Sequence, residues 1–172
     1  MRWTRSLTRD EALVVARARE GALLRYEGRV IAHRSCGIAI AETFARPTRP
    51  YQALRKGGIT GQGECGTRLG GRMVLGELLG DPDPSGAPHP LMVDAIQFYD
   101  AQWSARTETK QRHCDGLVEQ FSAFRSPERA SFCTELAAET AALLAETLLR
   151  AGGEVQIIDV SVEPGGSGPA VR

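Results

Sequence analysis

The chain has no continuous apolar run of the ~18 residues needed to span a bilayer, and its first residues (MRWTRSLTRDEA) lead into no apolar core or small-residue cleavage site of a signal peptide. The reading that follows is a cytoplasmic protein with no membrane insertion. Excess charge is also missing. Basic and acidic residues number 21 each, which argues against a nucleic-acid binder, because such domains carry a basic surplus. Several catalytic signatures are absent as well: GxSxG, HExxH and the phosphate-binding GxxxxGK[ST]. There is no CxxCH for covalent haem, and no compact CxxC knuckle for a metal. Nor is there any internal repeat. What remains is a chain of 172 residues, 42% hydrophobic and 24% charged, long enough for one domain with a core of its own.

Helix signals dominate the pattern. Thr8 and Glu11 form a capping box ahead of Leu13, Ala16, Leu23 and Leu24, with Gly28 as a stop. A second apolar segment runs from about Val30 to Phe44 and ends before Pro47 and Pro50. Residues 57 to 71 (GGITGQGECGTRLGG) contain seven glycines, a density expected where backbones approach closely or take positive φ angles. They read as a loop, with helical patterning resuming from Arg72 to Leu79. After a proline loop (DPDPSGAPHP), Pro90 suits the first turn of a helix carrying Met92, Ala95, Ile96, Tyr99 and Trp103. Ser126-Pro127 then opens an alanine- and leucine-rich helix that runs to about Arg150 and stops at Gly152-Gly153. The segment VQIIDVSV reads as a strand.

The fold class expected is therefore all-α: a single compact bundle of about five helices, with a glycine-rich loop before the third helix and an extended C-terminal tail. Residues 1–153 form the helical four-cysteine domain, and 154–172 an extended, partly disordered tail.

Chemistry points to the cysteines. Four scattered cysteines in a cytosolic chain fit inert core positions, since cysteine is among the most buried residue types. Placement argues otherwise. Cys36, Cys65 and Cys114 each fall at a predicted helix start, where unpaired N–H groups and the dipole favour thiolate. Cys133 falls on the inward stripe of the last helix with Leu136, Ala137, Thr140 and Leu144. Glycines at 63, 66, 70 and 71 leave the Cys65 sulfur open to amide donors, so Gly63, Gly66 and Gly70 are the candidate cofactor-binding positions and Cys65 and Cys36 the redox candidates. His33 and His113, close to Cys36 and Cys114, admit mixed zinc ligation.

At Cys65-Gly66-Thr67-Arg68-Leu69-Gly70 the chain resembles the redox-active protein family named for the pattern C, GCAxxG, C, C. The upstream cysteine matches Cys36 in SCGIAIAETFA, and the downstream pair matches Cys114 in CDGLVEQF and Cys133 in CTELAAETAALLAETLL. The likeness spans roughly residues 15 to 150 and extends to the cysteine domain of split-Soret cytochromes, without their haem motif. It implies a redox or electron-transfer role, with Cys36, Cys65, Cys114 and Cys133 as the ligands of an iron–sulfur cluster. Thr67 departs from the family's alanine, and Arg68, read as solvated, from a residue that is usually uncharged. Two alternatives stay open: a metal-free thiol–disulfide protein, and a structural zinc site in an interaction module. The partners expected are a redox partner protein, met through Trp3, Trp103 or the proline loop, or a second copy of the chain in a homodimer; Trp103, on its apolar stripe, reads first as a core residue or dimer contact.

Overall fold

A computed structural model describes residues 2–83, 85–107 and 111–161. Seven α-helices follow one another: α1 (Arg9–Glu27), α2 (Cys36–Thr43), α3 (Arg55–Gly58), α4 (Gly66–Leu79), α5 (Pro90–Arg106), α6 (Cys114–Val118) and α7 (Pro127–Ala151). The all-α class holds. The two elements beyond the expected five are α3, a four-residue turn whose Lys56 and Gly57 are left-handed rather than helical, and α6, five residues long; both are too short to leave a periodic apolar signature. No helix of the described residues is long and apolar enough to cross a membrane.

The long helices begin and end where their caps dictate. Thr8 accepts from the Glu11 N–H while the Glu11 carboxylate accepts from the Thr8 N–H, and Gly28 closes α1 at φ 74°. Ser126 caps α7, Pro127 occupies its first turn, and Gly152 ends it at φ 85°. These two helices form the most extensive pair in the molecule. Ala18 and Ala22 on α1 and Ala137, Ala141 and Ala145 on α7 are fully buried, and such small side chains let the helix axes come close. Arg19 straps the pair from outside through Glu135 and Glu139.

The glycine-rich stretch is only partly a loop, because α4 starts at Gly66 and takes in Gly70 and Gly71. Each of these glycines costs about 1 kcal/mol of helix propensity relative to alanine. Close packing offsets that. A Cβ on Gly70 would lie 2.9 Å from the Gly37 Cα of α2, and one on Gly71 would collide with the Tyr99 ring of α5. The glycines thus bring three helices together where side chains would hold them apart.

Two further expectations need correction. The segment VQIIDVSV is extended through residue 161 but forms no strand among the described residues, because it finds no ladder partner. A bond from the Ile158 N–H to the Thr43 carbonyl, 3.0 Å, and one from Arg25 to the Ile158 carbonyl, 2.9 Å, tie it down instead. The disorder expected in the tail concerns residues 162–172, which lie outside the described residues. Arg68 is not solvated: it is fully buried, pairs with Glu64 and Asp100, and stands over the Trp103 ring at 5.8 Å. Two carboxylates compensate the buried guanidinium. The two indoles are occupied too. Trp103 is a core residue whose Nε1–H donates to Thr140 Oγ1 at 3.0 Å, and Trp3 stacks on Phe98 with centroids 5.0 Å apart.

Gly66 has no room for a side chain, since a Cβ there would collide with the Leu54 carbonyl oxygen and approach Cys36 Cβ to 2.8 Å. Gly66→Ala is expected to lower stability by about 1–3 kcal/mol, as overpacking of a tight contact does. A chemical denaturation curve measures it, with Gly76→Ala, where a Cβ meets nothing within 4 Å, as the tolerated control.

Candidate functional site

The site is assembled from four short segments whose backbones lock together. The Cys65 N–H donates to the Arg112 carbonyl (2.7 Å), the Cys114 N–H to Gly63 (2.9 Å) and the Asp115 N–H to Gly61 (2.9 Å). A single antiparallel bridge between Glu64 and His113 marks the middle of this clasp. It brings the second and third cysteines side by side, Cys65 as the N-cap of α4 and Cys114 as the first residue of α6.

Beneath the clasp lies an unusual turn. Lys56, Gly57, Gly58 and Ile59 have φ of 50°, 56°, 67° and 73°, four successive residues in the left-handed region. For the two that are not glycine this costs roughly 1–2 kcal/mol each. The turn wraps tightly: the Gly63 N–H donates to the Gly57 carbonyl at 3.0 Å, and a Cβ on Gly57 would stand 2.6 Å from Cys114 Cβ. Cys36, the first residue of α2, is itself at φ 45°. Strained backbone of this kind persists where the surroundings over-determine it, most often at functional sites.

All four cysteines line one cavity of about 350 Å³, near the lower end of the ~300–1,000 Å³ usual for small ligands and cofactors. All four are free thiols. Cys133 enters from α7, one turn beyond Arg129, whose guanidinium comes within 4.0 Å of its sulfur. Cys65 Sγ lies 3.1 Å from the Thr67 hydroxyl. Leu117, Val118, Phe132 and Leu136 supply apolar wall, Tyr26 and Ser35 polar wall. The charged lining residues are Arg55, Lys56 and Arg129; among the described residues no aspartate or glutamate lines the cavity.

The remaining candidates separate. Gly66 lines the cavity, whereas Gly63 and Gly70 do not; their lack of a side chain serves the clasp and the α2–α4 contact. His33 reaches the lining, but its Nδ1 is engaged by the Tyr26 carbonyl and its ring packs edge-on against Tyr26. His113 is exposed on the outer side of the clasp and lines a different depression. Sequence reasoning missed Tyr26, Lys56 and Arg129. Arg129 had a signal, being four residues before Cys133 on one helix face; Tyr26 had none.

Helix starts were expected to favour thiolate, and at Cys36 and Cys114 burial overrides them. Burial pushes the Cys36 thiol up to about 12, against the opposing hydrogen bond from the Lys56 N–H. It pushes Cys114 up to about 11, reinforced by the neighbouring Cys65. Cys133 is raised by burial as well, although Arg129 and the Tyr26 hydroxyl favour its anion. α2 has eight residues and α6 five, and desolvation of a thiolate exceeds what the ends of such short helices return.

Among the described residues no three His, Cys, Asp or Glu side chains converge on the position of a single metal ion. The thiols instead face one another around a shared space. No family model matches the chain, and searches of curated proteins and of solved structures find no match either.

The raised thiols have a consequence for stability. Their ordinary value is 9.0. Above pH 9 the unfolded chain releases thiol protons that the folded chain retains, so the contribution of each group is present below pH 9 and is lost toward its folded value, about 12 for Cys36. The melting temperature of the metal-free, reduced protein is expected to fall as pH rises from 8 to 11. Cys36→Ala should flatten that slope, measured by circular dichroism in a strong reductant.

Proposed function

We propose that the chain is a redox protein whose four cysteines hold an iron–sulfur cluster for electron transfer. The observation that carries this reading is that Cys36, Cys65, Cys114 and Cys133, from four separate segments, line one cavity whose charged walls are all cationic. An iron–sulfur cluster on four thiolates supplies reversible one-electron transfer at a potential set by its charge, its burial and the hydrogen bonds to its sulfurs. The residues present fit that group in donor chemistry, in number and in electrostatic sign.

Each part of the site has a task in this reading. The four thiols lose their protons on ligation, which couples loading to pH. Arg129 and Lys56 offset the negative charge that four thiolates bring into a largely apolar space. A thiolate sulfur can only accept, so the Thr67 hydroxyl, 3.1 Å away, donates to Cys65, and the Lys56 N–H does the same for Cys36. Leu117, Val118, Phe132 and Leu136 limit water. The all-helical frame holds three of the sulfurs at helix starts and the fourth on the longest helix.

The alternatives have less support. A mononuclear zinc site needs its ligands within about 2.3 Å of one centre, and no described group is so arranged. A thiol–disulfide carrier needs an attacking thiolate; Cys36, Cys114 and Cys133 are pushed toward the neutral thiol, so that reading rests on Cys65 alone as the attacker.

Anaerobic purification followed by iron, sulfide and zinc analysis is the direct test. A brown protein containing iron and inorganic sulfide is expected, bleaching on reduction, with iron lost in Cys65→Ala. A colourless protein that stays free of iron after anaerobic reconstitution overturns the reading. Loss of two thiols on mild oxidation would then identify the disulfide carrier, and stoichiometric zinc the structural site.

Thr67 allows a finer measurement. Thr67→Val keeps the shape and removes the donor, so it should disfavour the more negative, reduced state. A hydrogen bond to a charged acceptor is worth about 1.5 kcal/mol, and because the sulfur accepts it in both oxidation states only a fraction of that separates them, so about 59 mV for one electron is the ceiling of the shift. Spectroelectrochemical titration should find the midpoint more negative, within that ceiling.

A further inference from the structure

The cavity reaches the surface between Ile59 and Phe124, which line it while remaining 63% and 43% exposed. Phe124 lies between two cations, with Lys56 Nζ 5.1 Å and the Arg129 guanidinium 4.3 Å from its ring centre. Arg55, on the same turn as Lys56 and Ile59, is exposed beside them. The rim is therefore apolar at its centre and cationic around it.

Two observations separate this rim from ordinary surface. The first is backbone strain. Ile59 is a β-branched residue at φ 73°, a conformation such side chains rarely adopt, yet it buries little of its side chain. Folding gains almost nothing from isoleucine at that position; glycine would hold the turn with less strain. The second is unpaired charge. Arg5, Arg17, Arg19, Arg68 and Arg150 all pair with carboxylates. Arg55, Lys56 and Arg129 have no carboxylate partner among the described residues, and the chain as a whole carries no net charge. Arg9, Arg49 and Arg112 also lack a carboxylate partner among the described residues; what distinguishes Arg55, Lys56 and Arg129 is that the three line one apolar mouth together.

We propose that this rim is the docking surface for an acidic one-electron carrier protein, whose carboxylates meet Arg55, Lys56 and Arg129 around an apolar contact on Ile59 and Phe124. The inference rests on the redox reading for the electron it delivers, and on geometry and charge for the docking itself. Opposite charge across such a contact raises the encounter rate and orients the pair, which suits a weak, transient interface. The apolar centre excludes water at the closest approach. In the productive encounter the carrier is oxidised by one electron and the group on the four cysteines is reduced by one, with no bond made or broken.

The probe is flavodoxin, an acidic carrier. Amide chemical shifts of the full chain, titrated with oxidised flavodoxin at low salt, read docking without depending on what the cysteines hold. Shifts should centre on residues 55–59, 124 and 129 and vanish in high salt. The variant R55E/K56E should weaken binding at least tenfold. Arg9→Glu, 17 residues along α1 from Tyr26 and thus about 25 Å away, should not. Ile59→Gly should weaken binding while keeping or raising the melting temperature, whereas a purely structural role predicts a lower one. With the iron-loaded protein, stopped-flow reduction by flavodoxin hydroquinone should slow in Arg55→Glu and in Ile59→Gly, and reduction by the uncharged 5-deazariboflavin radical should not.

Absence of shifts at the mouth, or binding indifferent to salt and to R55E/K56E, overturns the docking proposal even if the cluster loads. Docking at the mouth by a protein that never takes up iron keeps the surface and overturns the redox reading. A concentration-dependent dimer in sedimentation that R55E/K56E dissolves assigns the face to a second copy of the chain and overturns the acidic-carrier proposal.

Discussion

Everything at the site depends on how closely three stretches of backbone approach one another. The left-handed turn at 56–59, the segment 61–65 and the segment 112–115 are joined by N–H to carbonyl bonds rather than by side-chain packing. At Gly57 and Gly63 a single added carbon would already strike a neighbouring backbone or cysteine. Backbone hydrogen bonds of this kind fix position to within tenths of an ångström, which side-chain contacts between flexible groups do not. Two of the four sulfurs hang directly from this clasp. A third, on Cys36, is held beneath it by the Lys56 N–H. The scaffold of α1 and α7 then needs only to bring the fourth cysteine to a place already defined.

Such an arrangement is unfavourable until something occupies it. Burying ionisable thiols beside one another raises Cys36, Cys114 and Cys133, since both desolvation and mutual repulsion disfavour the anion. A fold that only required buried cysteine would scatter these residues through the core as small hydrophobes. Here they are collected, with three cations and, among the described residues, no carboxylate in the same wall. The collection makes physical sense if the thiolate form is reached in company with positive charge brought from outside, as on ligating a metal group. Arg129 illustrates the balance: it offsets charge at Cys133 and at the same time rests on Phe124, so it couples the interior of the site to its rim.

Local grammar made much of this legible. The capping box at Thr8, the stop at Gly28 and the Ser126-Pro127 start are contained in a few consecutive residues, and each stands where the pattern puts it. The placement of Cys36, Cys65 and Cys114 at helix starts was readable for the same reason. What depends on distant partners was not. Arg68 is buried because Asp100 on another helix receives it, and nothing beside it in the chain says so. The period-two pattern of VQIIDVSV is a true strand pattern without a sheet to join. The glycines from 66 to 71 suggested a loop because glycine disfavours helix; their purpose, letting α2 and α5 touch α4, appears only in three dimensions.

The left-handed turn shows how fold and function compete within one short segment. Gly57 and Gly58 make such a turn feasible, but Lys56 and Ile59 flank them in the same conformation and bear the strain that glycine would avoid. Lys56 repays part of it inside the molecule, through its N–H to Cys36 and its ammonium over Phe124. Ile59 repays none, because its side chain faces solvent. A residue that is unfavourable for its backbone and idle in the core is one whose benefit lies outside the folded chain. Its position at the mouth of a four-thiol cavity, beside cations left without carboxylates, places that benefit at the point where an electron would enter or leave.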